Sequence, residues 1–181
     1  MNGVSYTNNN DGATVLDGVD DYVEIANPLS IFSSSFTMSM WIYLNGAAER
    51  DILIGDYAIA GGINVNFERS SDNKLRLYWN ASPDINTAGG VVSTGQWQNV
   101  IVVRDKVLSK VQFYVNNAKV LDYSGSLSDK VATGKHYIGK DSRNGSTAFN
   151  GLISDVSIYN KALSASEVQQ NFNALRGRYG I

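Results

Sequence analysis

The stretch VLDGVDDYVEI, residues 15–25, places three aspartates, Asp17, Asp20 and Asp21, within five positions. Aspartate is a hard oxygen ligand, a general acid or base, and a former of tight turns. Residue type alone therefore permits a metal site, a catalytic site or a turn. The partners elsewhere in the chain decide among them. The glutamates are Glu24, Glu49, Glu68 and Glu167, and no two stand at strand spacing. A retaining glycosidase needs two carboxyls about 5–5.5 Å apart, and no such pair is offered. Glu49-Arg50-Asp51 begins like an E-x-D motif but runs on into Ile-Leu-Ile. His136 is the only histidine, so any Ser/His/Asp relay would have to run through it. It stands in GKHYIGK, with no G-x-S-x-G elbow, P-loop, dinucleotide fingerprint or H-E-x-x-H in the chain. His136 reads as a strand-edge residue, and the chain as one without a catalytic centre.

Groups suited to binding are easier to find. In GINVNFER and KLRLYWN a period of two sends Ile63, Val65, Phe67, Leu75, Leu77 and Trp79 to one face. The other face receives Asn64, Asn66, Glu68, Arg76, Tyr78 and Asn80, with Gln112 and Tyr114 of a further strand as an extension. Amides, a carboxylate, an arginine and flat rings on one sheet form a sugar-binding set, although a solvated sheet face is composed in the same way. Trp41, Trp79 and Trp97 read as packing anchors. The loops 84–90 and 141–146 are a second place for ligand contacts, with Asp141, Arg143 and Asn144 as the polar groups there.

These residues need strands to position them. Ten or so short strands are legible, among them ATVLD, YVEI, FTMSMWIYL, WQNVIVVR, KVQFYVN and FNGLISDVSIYN, joined by Gly, Asn, Asp and Ser turns. Such a chain predicts an all-β antiparallel sandwich or barrel. One helix is expected near residues 165–176. Ser164 and Glu167 form its capping box, Leu163 staples against Val168, and Val168, Phe172 and Leu175 make a narrow apolar stripe. At 181 residues, without a linker or repeat, the whole chain 1–181 reads as one domain. A net charge of -2 argues against nucleic-acid binding, and no apolar run approaches the 18 or so residues of a membrane span. There is no cysteine, hence no disulfide framework and no thiolate zinc site. The opening MNGVSYTNNNDG lacks a basic-then-apolar leader pattern, so an extracellular role is expected to come by another route, such as packaging in a virion.

The order VLDGVDDYVEI, FTMSMWIYL, GQWQNVIVV, KVQFYVNNAKV, FNGLISDVSIYNKALSASEV resembles laminin-G-like domains of the concanavalin-A-like lectin/glucanase superfamily, from about Thr14 to the end of the chain. The ending SIYNKALSASEVQQNFNALRGRYGI is also similar to the tails of such domains in phage and viral structural proteins. The resemblance implies a two-sheet jelly roll whose first and last strands are adjacent, used as a non-catalytic module for glycans or proteins. It also implies a structural calcium where those strands meet. Asp17 and carbonyls near Gly18 and Ser154 would supply that ion, but Ser154 stands where relatives carry an aspartate, and a hydroxyl replaces a carboxylate poorly. Residues 17–21 therefore read first as a turn, with Gly18 as its permissive residue and Asp20 and Asp21 bonding nearby amides. By alternation Ser154 shares a face with Val156 and Ile158, and Asp155 with Ile153 and Ser157. The glucanases of the superfamily use an E-x-D-x-E strand that this chain lacks. The function expected is thus carbohydrate binding or adhesion on a virion or other extracellular surface. Its partner would be a glycan or host receptor, with other virion proteins as further partners. A structural decoration protein of a viral particle is the alternative, and a glycoside hydrolase has the least support.

Overall fold

The alternation of FTMSMWIYL sets the architecture. In a computed structural model describing residues 3–8, 12–46, 50–56, 63–80, 84–140 and 147–181, this stretch is strand β4 (Phe36–Leu44). Phe36, Met38, Met40, Ile42 and Leu44 enter the main core, each at most 1% exposed. β4 lies inside a seven-stranded sheet of order β1 (Ser5–Thr7), β2 (Ala13–Asp17), β13 (Asn150–Tyr159), β4, β9 (Trp97–Asp105), β10 (Lys110–Val115), β11 (Ala118–Ser124). The second sheet has six strands, β3 (Val23–Ile25), β12 (His136–Ile138), β5 (Arg50–Gly55), β6 (Val65–Ser70), β7 (Lys74–Trp79), β8 (Ile85–Asn86). Every pairing is antiparallel. The two sheets close on one apolar cluster that takes Leu53, Val65, Phe67, Leu75, Leu77 and Trp79 from the second sheet. This is the expected β-sandwich of jelly-roll type, with strands from the two ends of the chain side by side: β13 runs between β2 and β4. Among the described residues no helix is long and apolar enough to cross a membrane.

The Asn116–Asn117 pair turns β10 into β11 with both residues left-handed, at φ 48° and 67°. A two-residue turn of that hand matches the twist of the strands it joins, and asparagine tolerates it. Helix α1 (Ala165–Leu175) begins at the expected capping box: the Ser164 hydroxyl accepts from the Glu167 N–H, and Glu167 accepts from the Ser164 N–H at 2.9 Å. The helix covers the outer face of the seven-stranded sheet. Leu163 and Val168 pack with Ile101, Val103 and Tyr114, while Phe172 and Tyr179 stack on Trp41 at 5.7 and 4.0 Å. Trp79 is fully buried and donates its indole N–H to Ser128 O, so both tryptophans pack as expected. Trp97 is half-buried against Tyr43 and Tyr179.

One expectation about faces fails on β13. A bulge between Ser154 and Ser157 inserts a residue, with Asp155 at φ 45°. Such an insertion flips the faces of the residues beyond it. Ser154 and Ser157 thus stand opposite Trp41 and Ser39 on the helix-covered side, while Val156 and Ile158 pack on the core. Ser154 does not share their face.

Candidate functional site

The polar face read from GINVNFER and KLRLYWN exists, on the side of the six-stranded sheet away from the core. Register fixes its rows. Tyr137 on β12 pairs with Gly55 on β5, Gly55 with Asn66 on β6, and Asn66 with Tyr78 on β7. In the next row Ile52 pairs with Glu68, Glu68 with Arg76, and Arg76 with Asn86. Arg76 is the hub of this row. One nitrogen donates to Glu68 Oε1 at 2.9 Å, the other to Asp84 Oδ2 at 2.7 Å, and the guanidinium lies 5.0 Å from the centre of the Tyr78 ring. Arg50 approaches the second oxygen of Glu68 at 3.7 Å.

The expected residues divide into three groups. Asn66, Glu68, Arg76 and Tyr78 are together, but Asn66 and Glu68 are 0% exposed, not outward and solvated as alternation alone suggests. Both polar side-chain atoms of Asn66 are buried without a hydrogen-bond partner among the described residues, a costly arrangement. Arg76 and Tyr78 are half-buried. Asn64 and Asn80 lie at the end of the hairpin, where Asn80 N–H donates to Asn64 O, and Lys130 donates to Asn80 O at 2.9 Å. Gln112 and Tyr114 do not extend this face. Both belong to β10 in the other sheet, and Tyr114 is 3% exposed beneath the helix. Parity within one strand could not reveal which sheet that strand joins. Asp141, Arg143 and Asn144 lie outside the described residues.

Sequence reading missed the far side of the same face. Tyr22 and Tyr137 meet edge-to-face at 5.2 Å, Lys140 lies 4.9 Å from the Tyr22 ring centre, and Lys135 pairs with Glu24 at 2.8 Å. The alternation of YVEI and HYI was available as a signal. The pairing of β12 with both β3 and β5 was not. That pairing also moves His136 from an edge to the interior, at 1% exposure and stacked on Phe32. Its Nε2 is 3.6 Å from Asp56 Oδ2, a carboxylate that also accepts the N–H groups of Ile63 and Val65. Burial pushes the His136 imidazole below its ordinary value, with Asp56 opposing the shift.

The acidic stretch forms a self-bonded turn. Asp17 N–H donates to Asp21 Oδ2 at 3.0 Å, and Val19 N–H to Asp17 Oδ1 at 2.8 Å. Gly18 is required there: its φ is +82°, and a Cβ would come within 2.8 Å of Asn150. Asp17, Asp20 and Asp21 each place an oxygen within 4.8 Å of the others. The set expected to hold calcium does not assemble, because Asp17 pairs with Asn150 and Ser154 lies four residues further along β13, about 13 Å away. Ser154 is committed elsewhere: it donates to Gly12 O at 2.7 Å and accepts from Tyr179 at 2.9 Å. Carboxylates suit a hard cation, so Asp17, Asp20 and Asp21 are the residues that fit one, without Ser154.

Residues 17–169 match Laminin_G_3, described as the Concanavalin A-like lectin/glucanases superfamily. The chain belongs to this family. Three solved structures show the same fold in this laminin-G-like chain. Domain 4 of AbnA, a GH43 extracellular arabinanase from Geobacillus stearothermophilus in complex with arabinotriose, is 20% identical with a TM-score of 0.72, over 94% of this chain and 81% of that one. The native heptameric SAP-like pentraxin from Limulus polyphemus is 17% identical with a TM-score of 0.68, over 85% and 78%. The binding domain of Paraclostridial Mosquitocidal Protein 1 is 18% identical with a TM-score of 0.71, over 96% of this chain and 46% of that one. None of the curated proteins matches the chain in sequence. The outer face of the six-stranded sheet in this laminin-G-like chain offers aromatic surfaces, an arginine held in place by two carboxylates, and a buried amide without a partner among the described residues.

Proposed function

We propose that this laminin-G-like chain is a non-catalytic carbohydrate-binding module that takes a neutral or weakly acidic glycan on the outer face of its six-stranded sheet. One observation carries the reading. Tyr137 and Tyr78 stand at the two ends of a single register row, Tyr137–Gly55–Asn66–Tyr78. Three strand steps of about 4.8 Å separate them by about 14 Å, the reach of a short oligosaccharide. Stacking on the rings with hydrogen bonds from the half-buried Arg76 is the mode such a row supports. The arabinotriose complex of the arabinanase domain is in keeping with a sugar ligand on this fold. The non-catalytic part rests on charge: Glu24, Glu68 and Asp84 on this face are each ion-paired to a lysine or arginine. None of the three is placed as a free proton donor.

The burial of Asn66 and Glu68 favours a second reading, in which the Arg50–Glu68–Arg76–Asp84 chain of charges stiffens the sheet and the chain is a structural interaction piece. Placement on a virion or extracellular surface, with a host receptor or other virion proteins as partners, belongs to the proposal and rests on the tail sequence alone. A glycan array decides between the two readings. Binding that is lost in Tyr78→Ala and Tyr137→Ala, with melting retained, supports the module. A blank array, or a profile unchanged in both variants, leaves the structural piece.

A further inference from the structure

The opposite side of the sandwich carries a pocket independent of that face. Between α1 and the outer face of the seven-stranded sheet lies a cavity of about 240 Å³, lined by Ser39, Trp41, Asn99, Asp155, Tyr159 and Asn171, among others. The volume falls below the roughly 300–1,000 Å³ of sites for drug-sized ligands, so it suits a single ring or a smaller molecule. Its lining is unusual in charge. Among the described residues it holds one carboxylate and no lysine, arginine or histidine. Asp155 accepts from Ser157 Oγ at 3.4 Å and has no ion-pair partner among the described residues.

The amide of Asn99 supplies a second acceptor. Its Nδ2 donates to Met40 O at 3.2 Å and Ser39 Oγ at 3.3 Å. A main-chain carbonyl accepts only, so this contact fixes which end of the amide is nitrogen. Asn99 is 3% exposed, and its Oδ1 is left buried without a partner among the described residues. A buried acceptor in that state costs stability unless a donor reaches it. The lining thus has a carboxylate, an amide whose oxygen is unsatisfied and the ring of Tyr159, a set that favours a cation that also donates hydrogen bonds.

We propose that this pocket binds a small ligand through a primary ammonium group, held by Asp155 and Asn99 Oδ1. The site is separate from the six-stranded face and stands or falls without it.

The test is an amide-resolved NMR titration at pH 6 with glucosamine, whose amine is protonated, and with N-acetylglucosamine, which is neutral and of similar shape. Glucosamine is expected to shift the side-chain amide signals of Asn99 and Asn171 saturably, and N-acetylglucosamine to leave them in place. Asp155→Asn is expected to weaken the glucosamine response at least tenfold while leaving the fold intact, since asparagine tolerates the left-handed backbone at this position. Ala174→Phe, which fills the pocket from an exposed helix position, is expected to abolish the response. Equal shifts with both sugars, shifts confined to Asn66 and the Tyr78 strand, no shift with either, or full binding in Asp155→Asn would each overturn the proposal.

Discussion

Gly55 stands across the ladder from Asn66, so close that a Cβ on the glycine would lie 2.3 Å from Asn66 Oδ1 and 3.2 Å from Ile52 Cγ2. The glycine makes room for the amide at the middle of the Tyr137–Tyr78 row. Gly55→Ala must push a fully buried side chain aside, and overpacking of this kind costs typically about 1–3 kcal/mol. Urea denaturation should show that loss, together with weaker glycan binding if the row is the site. A variant as stable as the parent would mean that the space beside Asn66 is not needed.

Glu68 is the carboxylate on which the Arg76 fork depends, and it is 0% exposed. Glu68→Gln keeps the shape and removes the charge between Arg50 and Arg76. Unpairing a buried hydrogen-bonded charge costs about 1–3 kcal/mol, reduced here because both arginines reach solvent. Tyr78→Phe, in contrast, keeps the ring under the guanidinium and should melt within about 1 kcal/mol of the parent. Equal stabilities for Glu68→Gln and the parent would show that the network adds nothing to the fold.

His136 predicts how stability varies with pH. Burial lowers its folded pKa below the unfolded value of about 6.5, so the unfolded chain binds more protons as pH falls past 6.5. A neutral buried imidazole therefore contributes fully above that value, and stability declines as pH falls through 6.5 toward the lower folded pKa. Asp56 opposes the shift and narrows the window. Denaturation midpoints measured from pH 7.5 to 5 should fall, and His136→Gln should flatten that part of the curve. An unchanged slope in the variant would assign the decline to other groups.

The sandwich, the helix with its capping box, and the division between core and outer faces were legible because each comes from local periodicity. Phe36 to Leu44 alternate whatever they pack on, and Ser164 and Glu167 cap a helix wherever it docks. Sheet membership was not legible. Gln112 and Tyr114 have the parity of a binding face, yet β10 joins the other sheet, and no pattern internal to a strand encodes its neighbours. The bulge at Asp155 was equally hidden, since one inserted residue reverses the faces without changing the residue types. Tyr137 escaped notice for a third reason: it reaches the row only because β12 bridges β3 and β5.

The acidic turn gives the last prediction. Asp17, Asp20 and Asp21 hold oxygens within 4.8 Å of one another, and Ser154 lies on a different part of β13. Any calcium that stabilises the fold here must act through the three carboxylates. Calcium at 100 times its dissociation constant adds about 2.7 kcal/mol, which for a chain of this size is a shift of several degrees. Melting should be compared in chelator and in millimolar calcium for the parent, Asp20→Asn and Ser154→Ala. The shift should shrink in Asp20→Asn, whose side chain stays a competent turn former, and persist in Ser154→Ala. A shift lost in Ser154→Ala would restore the strand-junction site that the geometry argues against. Identical melting of the parent with and without calcium would leave the turn to its own bonds, from Asp17 N–H to Asp21 and from Val19 N–H to Asp17.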